Sequence, residues 1–279
     1  SAGARTGGHA VSRARTRTRA SILVLAVTLV LQGCASAPPS PAGTKAPDAQ
    51  LPATAADTKQ QLDALFENYF EDNLRANPLL ATYIGDHRYD DLLPNSIGPQ
   101  YRAAAQAMNQ KYLAAIRALD PQALSTADRI SYDIFLFERE REARSERFPF
   151  HLLPINQAGS LLTVMPALGS GTNAQPFETV EDYERWLQRL DGLVVWMDQA
   201  IVNLREGAAK GVVQPRAVME KVLVQLDAMA VPQAQDSQYY APIQRLPASF
   251  SAANKAPWAK MSRLVARCTN SMRSPMPVN

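Results

Sequence analysis

Thr179-Val-Glu-Asp-Tyr-Glu-Arg-Trp-Leu-Gln-Arg-Leu190 opens the stretch that decides the fold, and its pattern carries on to Leu204. Tyr183, Trp186, Leu187, Leu190, Val194, Met197, Ile201 and Leu204 recur mostly at intervals of three and four. That spacing puts them on one side of a helix, not on one face of a strand. Thr179 is a capping residue type, and Glu181 and Asp182 follow it in the first turn, beside the positive end of the helix dipole. Gly207 and Gly211 punctuate the far end. Trp186 and Trp196 lie within the helix and read as core.

The neighbouring segments read the same way. Downstream, Pro215 opens a helix carrying Val218, Met219, Val222, Leu226 and Met229. Upstream, residues 148–177 hold four prolines and three glycines and cannot be one regular element. Ser125, with Asp128 three residues on, caps a helix to about Arg147, with Ile130, Ile134 and Phe137 expected inward and charges from Glu138 to Glu146 outward. Pro99 suits the first position of a helix running to Leu119, with Ala105, Met108, Tyr112, Ile116 and Leu119 inward. Residues 79–98, with Gly85, Pro94 and Gly98, read as a structured loop. A first helix begins near Thr58, buries Leu62, Leu65, Phe66, Tyr69, Phe70 and Leu74, and ends at Asn77-Pro78. No period-2 strand and no repeat interrupts this series. The expected class is all-α, an array of amphipathic helices over residues 58–250.

The front of the chain is of another kind. Arg13, Arg15, Arg17 and Arg19 precede an apolar run from Ile22 to Leu31 in which Thr28 is the one polar residue. A run of about ten residues is half what a bilayer span requires, but it fits the core of an export signal. It ends in Leu31-Gln32-Gly33-Cys34-Ala35, which resembles the bacterial lipobox. Residues 1–33 are therefore expected to be a lipoprotein signal peptide, and Cys34 the lipidated residue that anchors the chain to a membrane. Ala35, where an aspartate would mark inner-membrane retention, points to outer-membrane sorting and a periplasm-facing protein of a Gram-negative cell. Residues 34–57, rich in Ala, Pro, Ser and Thr, read as a tether.

Charge and cysteine usage narrow the functional classes. The net charge of +3 owes five arginines to residues 1–33; without them 24 basic residues face 26 acidic ones. No basic surface for nucleic acid is expected. With Cys34 lipidated, Cys268 is left alone, so no disulfide framework is expected.

Several segments together carry a resemblance. They are Ala81-Thr-Tyr-Ile-Gly-Asp-His-Arg-Tyr-Asp-Asp91, Leu124-Ser-Thr-Ala-Asp-Arg-Ile-Ser-Tyr-Asp133, Leu153-Pro-Ile-Asn-Gln-Ala-Gly-Ser160, Trp196-Met-Asp-Gln-Ala-Ile201 and Gly211-Val-Val-Gln-Pro-Arg-Ala-Val-Met-Glu-Lys221. In order and spacing they resemble the bacterial family named domain of unknown function 885, over about residues 58–250. The resemblance implies a secreted lipoprotein similar to zinc-dependent metallopeptidases, acting on peptides or cell-wall-derived material, with a His-Glu helix in a C-terminal half. This sequence departs from that pattern. Its histidines are His9, His87 and His151, and none forms an i, i+4 pair around a glutamate. No metal or catalytic residue can be carried over, so zinc is implied for the full-length family and not for this chain. The pattern fades after about Ala256. Residues 251–279 are expected to be a divergent, disordered tail, and the chain a cut or frameshifted product lacking the C-terminal half of the fold and inactive alone. The other reading is a non-catalytic envelope lipoprotein that binds a peptide or a protein.

Candidate substrate-cleft residues follow from the resemblance, each beside a plainer reading. Asp86, His87, Asp90 and Asp91, with Arg88 among them, are metal-ligand types, but a capped loop explains them as well. Asn156 and Gln157 can hydrogen-bond a peptide backbone or satisfy their own loop. Arg216 can grip a carboxylate or pair with Glu220 four residues on. Gly169-Ser170-Gly171 lacks the lysine of a phosphate loop, and no Gly-x-Ser-x-Gly turn is present.

Overall fold

The computed structural model describes residues 54–247 and 250. The expected signal peptide, Cys34, residues 34–53 of the expected tether and the expected tail at 251–279 lie outside them. Among the described residues the elements are helices, with no strand. They are α1 (Ala55–Ala76), α2 (Pro78–Tyr83), α3 (Pro99–Arg117), α4 (Thr126–Ser145), α5 (Leu161–Leu168), α6 (Val180–Lys210), α7 (Arg216–Met229) and α8 (Ala241–Gln244).

Local chemistry sets the helix ends. Thr54 and Asp57 form a reciprocal capping box, so α1 starts ahead of Thr58 and the tether ends earlier than its composition indicates. Thr179 and Asp182 form the second box, at the head of α6. At the foot of α6, Gly211 takes the left-handed conformation (φ +71°), which lets its N–H and that of Val212 turn back onto the last carbonyls. Ser125 caps α4 by accepting from Asp128 N–H, while its hydroxyl donates to the Asp128 carboxylate. Pro99 and Pro78 sit in the first turns of α3 and α2, where a missing N–H costs nothing. The stretch read as loop after Pro78 therefore begins with a short helix and holds a 3-10 turn at His87–Tyr89. The proline-rich segment before α6 holds a 3-10 turn at Phe150–Leu152 and α5, which tolerates Pro166 inside it.

Two apolar cores result. The larger surrounds α6, where Tyr183, Trp186, Leu187, Leu190, Val194, Trp196 and Met197 pack on Leu162, Met165 and Leu168 of α5 and on Met219, Val222 and Leu226 of α7. The smaller joins α1, α3 and α4 through Leu62, Leu65, Tyr112, Ile116 and Tyr132. Here the structure corrects the orientation of α4. Ile130, Ile134 and Phe137 are 57%, 60% and 56% exposed. The buried side instead carries Tyr132, Phe135 and Leu136. Phe135 meets Tyr69 edge-on at 5.0 Å and Phe66 at 5.2 Å, and the Arg139 guanidinium stacks on Tyr69 at 4.6 Å. Aromatic area with favourable ring geometry outweighs the aliphatic stripe. On α1, Phe70 also faces outward, not into the core.

Candidate functional site

A second face of α6, beside the apolar stripe, carries Arg189, Gly192, Gln199 and Asn203, and it holds the chain between α2 and α3. Arg189 is fully buried. Its Nε donates to the Leu92 carbonyl (3.1 Å), one Nη to the Tyr89 carbonyl (2.7 Å), and the other to Gln175 Oε1 (2.6 Å) and Thr82 Oγ1 (3.0 Å). Asp90, also fully buried, lies 3.7 Å from the guanidinium and accepts from the Thr82 hydroxyl and from His87. Burial pushes the Arg189 guanidinium down to about 10, with Asp90 and Asp91 opposing that shift, so it stays charged at neutral pH. Gly192 lets the chain come close: a Cβ there would stand 2.4 Å from the Leu93 carbonyl oxygen. Further along, Asn95 donates to Gln199 (3.4 Å), and the Asn203 amide donates to the carbonyls of both Ile97 (3.1 Å) and His151 (2.9 Å).

This last pair of bonds fixes the two lips of a cleft. Ile97 precedes α3, and His151 belongs to the Phe150–Leu152 turn. Between them and the C-terminal end of α4 lies an open cleft of ≈ 440 Å³, lined by Tyr101, Arg102, Gln106, Glu142, Glu146, Phe148, Phe150 and His151 among others. Arg102 Nη1 lies 3.2 Å from His151 Nδ1, and Gln106 donates to Glu146 at 2.8 Å. Burial and then the charge of Arg102 hold the His151 imidazole below its usual range, so it is neutral at pH 7. An apolar cleft of ≈ 270 Å³ adjoins it, lined by Pro78, Leu79, Leu80, Leu93, Pro94 and Leu161 with others. Ser96 and Tyr101 border both. The Tyr101 hydroxyl, donating to the Ala76 carbonyl at 3.0 Å, is held in the dividing wall.

The residues singled out from sequence fall in three separate places. His87 and Asp90 pair at 2.8 Å, and Asp86 and Arg88 join an exposed ion-pair group with Glu71. Arg88 holds the Asp86 carboxyl below its ordinary range. Asn156 accepts from the N–H groups of Ala158 and Gly159, satisfying its own loop, while the Gln157 carbonyl accepts from Gln225. Arg216 pairs with Glu220 at 2.8 Å, both exposed. None of these hydrogen bonds or ion pairs links one group to another, and none of the residues singled out from sequence lines the two clefts just described. Sequence reasoning missed Arg102 and His151. It also missed the polar face of α6, although Arg189, Gly192, Gln199 and Asn203 stand at intervals that reduce to three and four.

A zinc ion does not fit the described residues. No group of three or more His, Cys, Asp and Glu is placed to hold a metal. The one His–carboxylate pair, His87–Asp90, has its carboxylate taken by Thr82 and set beside the Arg189 cation, which would repel a second one.

Helices ribbed by buried polar contacts and opening a mixed polar and apolar groove define an all-α protein with an open cleft. More particularly, the chain belongs to the family described as bacterial protein of unknown function (DUF885), whose pattern matches residues 78–274. The match runs past residue 250, so most of the segment read as divergent falls within it. No curated protein matches the chain.

Proposed function

We propose that this chain is a lipid-anchored envelope protein whose helical domain binds peptides in the groove around Tyr101 without a hydrolytic centre of its own. The carrying observation is that groove. It sets an apolar cleft beside a polar one bearing Arg102, His151, Glu142 and Glu146, which offers a peptide's apolar side chain and its polar backbone separate partners. Anchoring rests on the order of the cationic segment, the apolar run and Cys34. The periplasmic face of the outer membrane is the location that Ala35 supports. The metallopeptidase chemistry that the resemblance implies would require a metal polarising a carbonyl and a glutamate as base, and the described residues hold no group fit for that ion.

Two measurements test this. Labelled palmitate should enter the full chain expressed in a Gram-negative host and be lost in Cys34→Ser; equal labelling of both rejects the anchor. Fluorescent peptides should bind saturably to the purified chain, and Tyr101→Ala together with Leu93→Arg should abolish binding. Unchanged affinity in that double variant rejects the groove.

A further inference from the structure

Within that peptide-binding reading, we infer that Arg102 and His151 form a carboxylate subsite that takes the free C-terminus of a peptide whose last side chain is apolar. Arg102 is exposed in the first turns of α3, and the one hydrogen-bond partner of its side chain among the described residues is His151 Nδ1. An arginine only donates, so His151 Nδ1 accepts and the ring proton sits on Nε2. The low imidazole pKa agrees with that neutral form. His151 Nδ1 therefore takes one guanidinium N–H and orients the group, while the other guanidinium N–H groups of Arg102, which lines the cleft, have no acceptor among the described residues. The acid that feels Arg102 through space, Glu206, is taken by Lys210 at 2.6 Å.

The N-terminus of α3 adds positive potential at Arg102, against the two carboxylates of Glu142 and Glu146 in the same cleft. α3 has no acid in its first turn and no side-chain cap, so the partial charge at its N-terminus remains unbalanced. The turn holding His151 is fixed from behind by Asn203, so the donors are preorganised.

A carboxylate fits better than a phosphate. Glu142 and Glu146 line the same cleft and would repel a dianion more than a monoanion, while suiting the amide N–H groups of a peptide running past them. The apolar cleft across Tyr101 lies next to Arg102 and offers Leu79, Leu93 and Leu161 to the terminal side chain.

The experiment compares two fluorescein-labelled tetrapeptides ending in leucine, one a free acid and one a C-terminal amide, titrated against the full chain and its Arg102→Ala variant. The free acid should bind at least about tenfold more tightly than the amide, the range of a charge-assisted pair. Arg102→Ala should remove that advantage, so that acid and amide bind alike, with the thermal midpoint unchanged. Equal binding of acid and amide by the parent chain overturns the subsite and leaves the groove standing. Failure of both peptides to bind overturns the groove reading and the subsite with it. Inorganic phosphate displacing the free acid at equal concentration overturns the preference for carboxylate.

Discussion

Replacing Arg189 by methionine removes a charge while keeping most of the side-chain volume, and the structure says what is left behind. Asp90 remains fully buried without its cation. The Tyr89 and Leu92 carbonyls and Gln175 Oε1 lose their donor. Breaking a buried pair from one side costs about 3–5 kcal/mol, because the remaining charge is uncompensated. That is a large share of the roughly 5–15 kcal/mol that holds a domain together. With a urea slope of about 2–3 kcal/mol/M, the unfolding midpoint should fall by roughly 1–2 M. Adding Asp90→Asn to Arg189→Met removes the stranded carboxylate, so the double variant should regain about 1 kcal/mol or more over the single one. Equilibrium urea denaturation followed by circular dichroism measures both. A loss under about 1 kcal/mol in Arg189→Met, or a double variant no more stable than the single, would refute the reasoning.

Other substitutions probe other parts of the fold. Gly192→Ala forces a Cβ against the Leu93 carbonyl and should cost about 1–3 kcal/mol by thermal melting, whereas an exposed helical glycine would gain stability from alanine. Ile134→Asp on the outer face of α4 should change stability by less than about 0.5 kcal/mol and raise solubility; a large loss would place that face in a core. Tyr112→Phe removes the hydrogen bond that most strongly lowers the Asp72 carboxyl pKa, at a cost of about 1–2 kcal/mol at pH 7. A lowered folded-state pKa contributes stability above the unfolded value of 3.8 and loses it as pH falls through the folded value. The gap between parent and variant should therefore narrow below about pH 4, as urea midpoints between pH 2 and 7 will show.

Much of the helical frame is legible in the chain because its signals are local. Thr179 with Asp182, Ser125, Pro99 and Gly211 act on backbone groups within a few residues, so their effects do not wait on tertiary structure. The Arg216–Glu220 pair, four residues apart on one helix, is equally local. α4 was not legible, because it carries two apolar faces, and only the rings of Phe66 and Tyr69 on α1 decide which is buried. Nor was the cleft. Arg102 and His151 are 49 residues apart, and they meet only because Asn203 holds the turn against α6. Long-range contacts of that sort leave no period in the sequence. The polar face of α6 is intermediate: the helical spacing of Arg189, Gly192, Gln199 and Asn203 beside the apolar stripe is visible in the sequence, but the partners of Arg189 in the 82–92 segment are not.

As proposed, this chain grips peptides and does not cut them. Incubating the purified full chain with a mixed peptide library, with added zinc in one arm and chelator in another, and reading both retention and mass, tests it directly. The account predicts that peptides with free apolar C-termini are retained equally in both arms and recovered intact. Cleavage products that appear with zinc and vanish with chelator would contradict it.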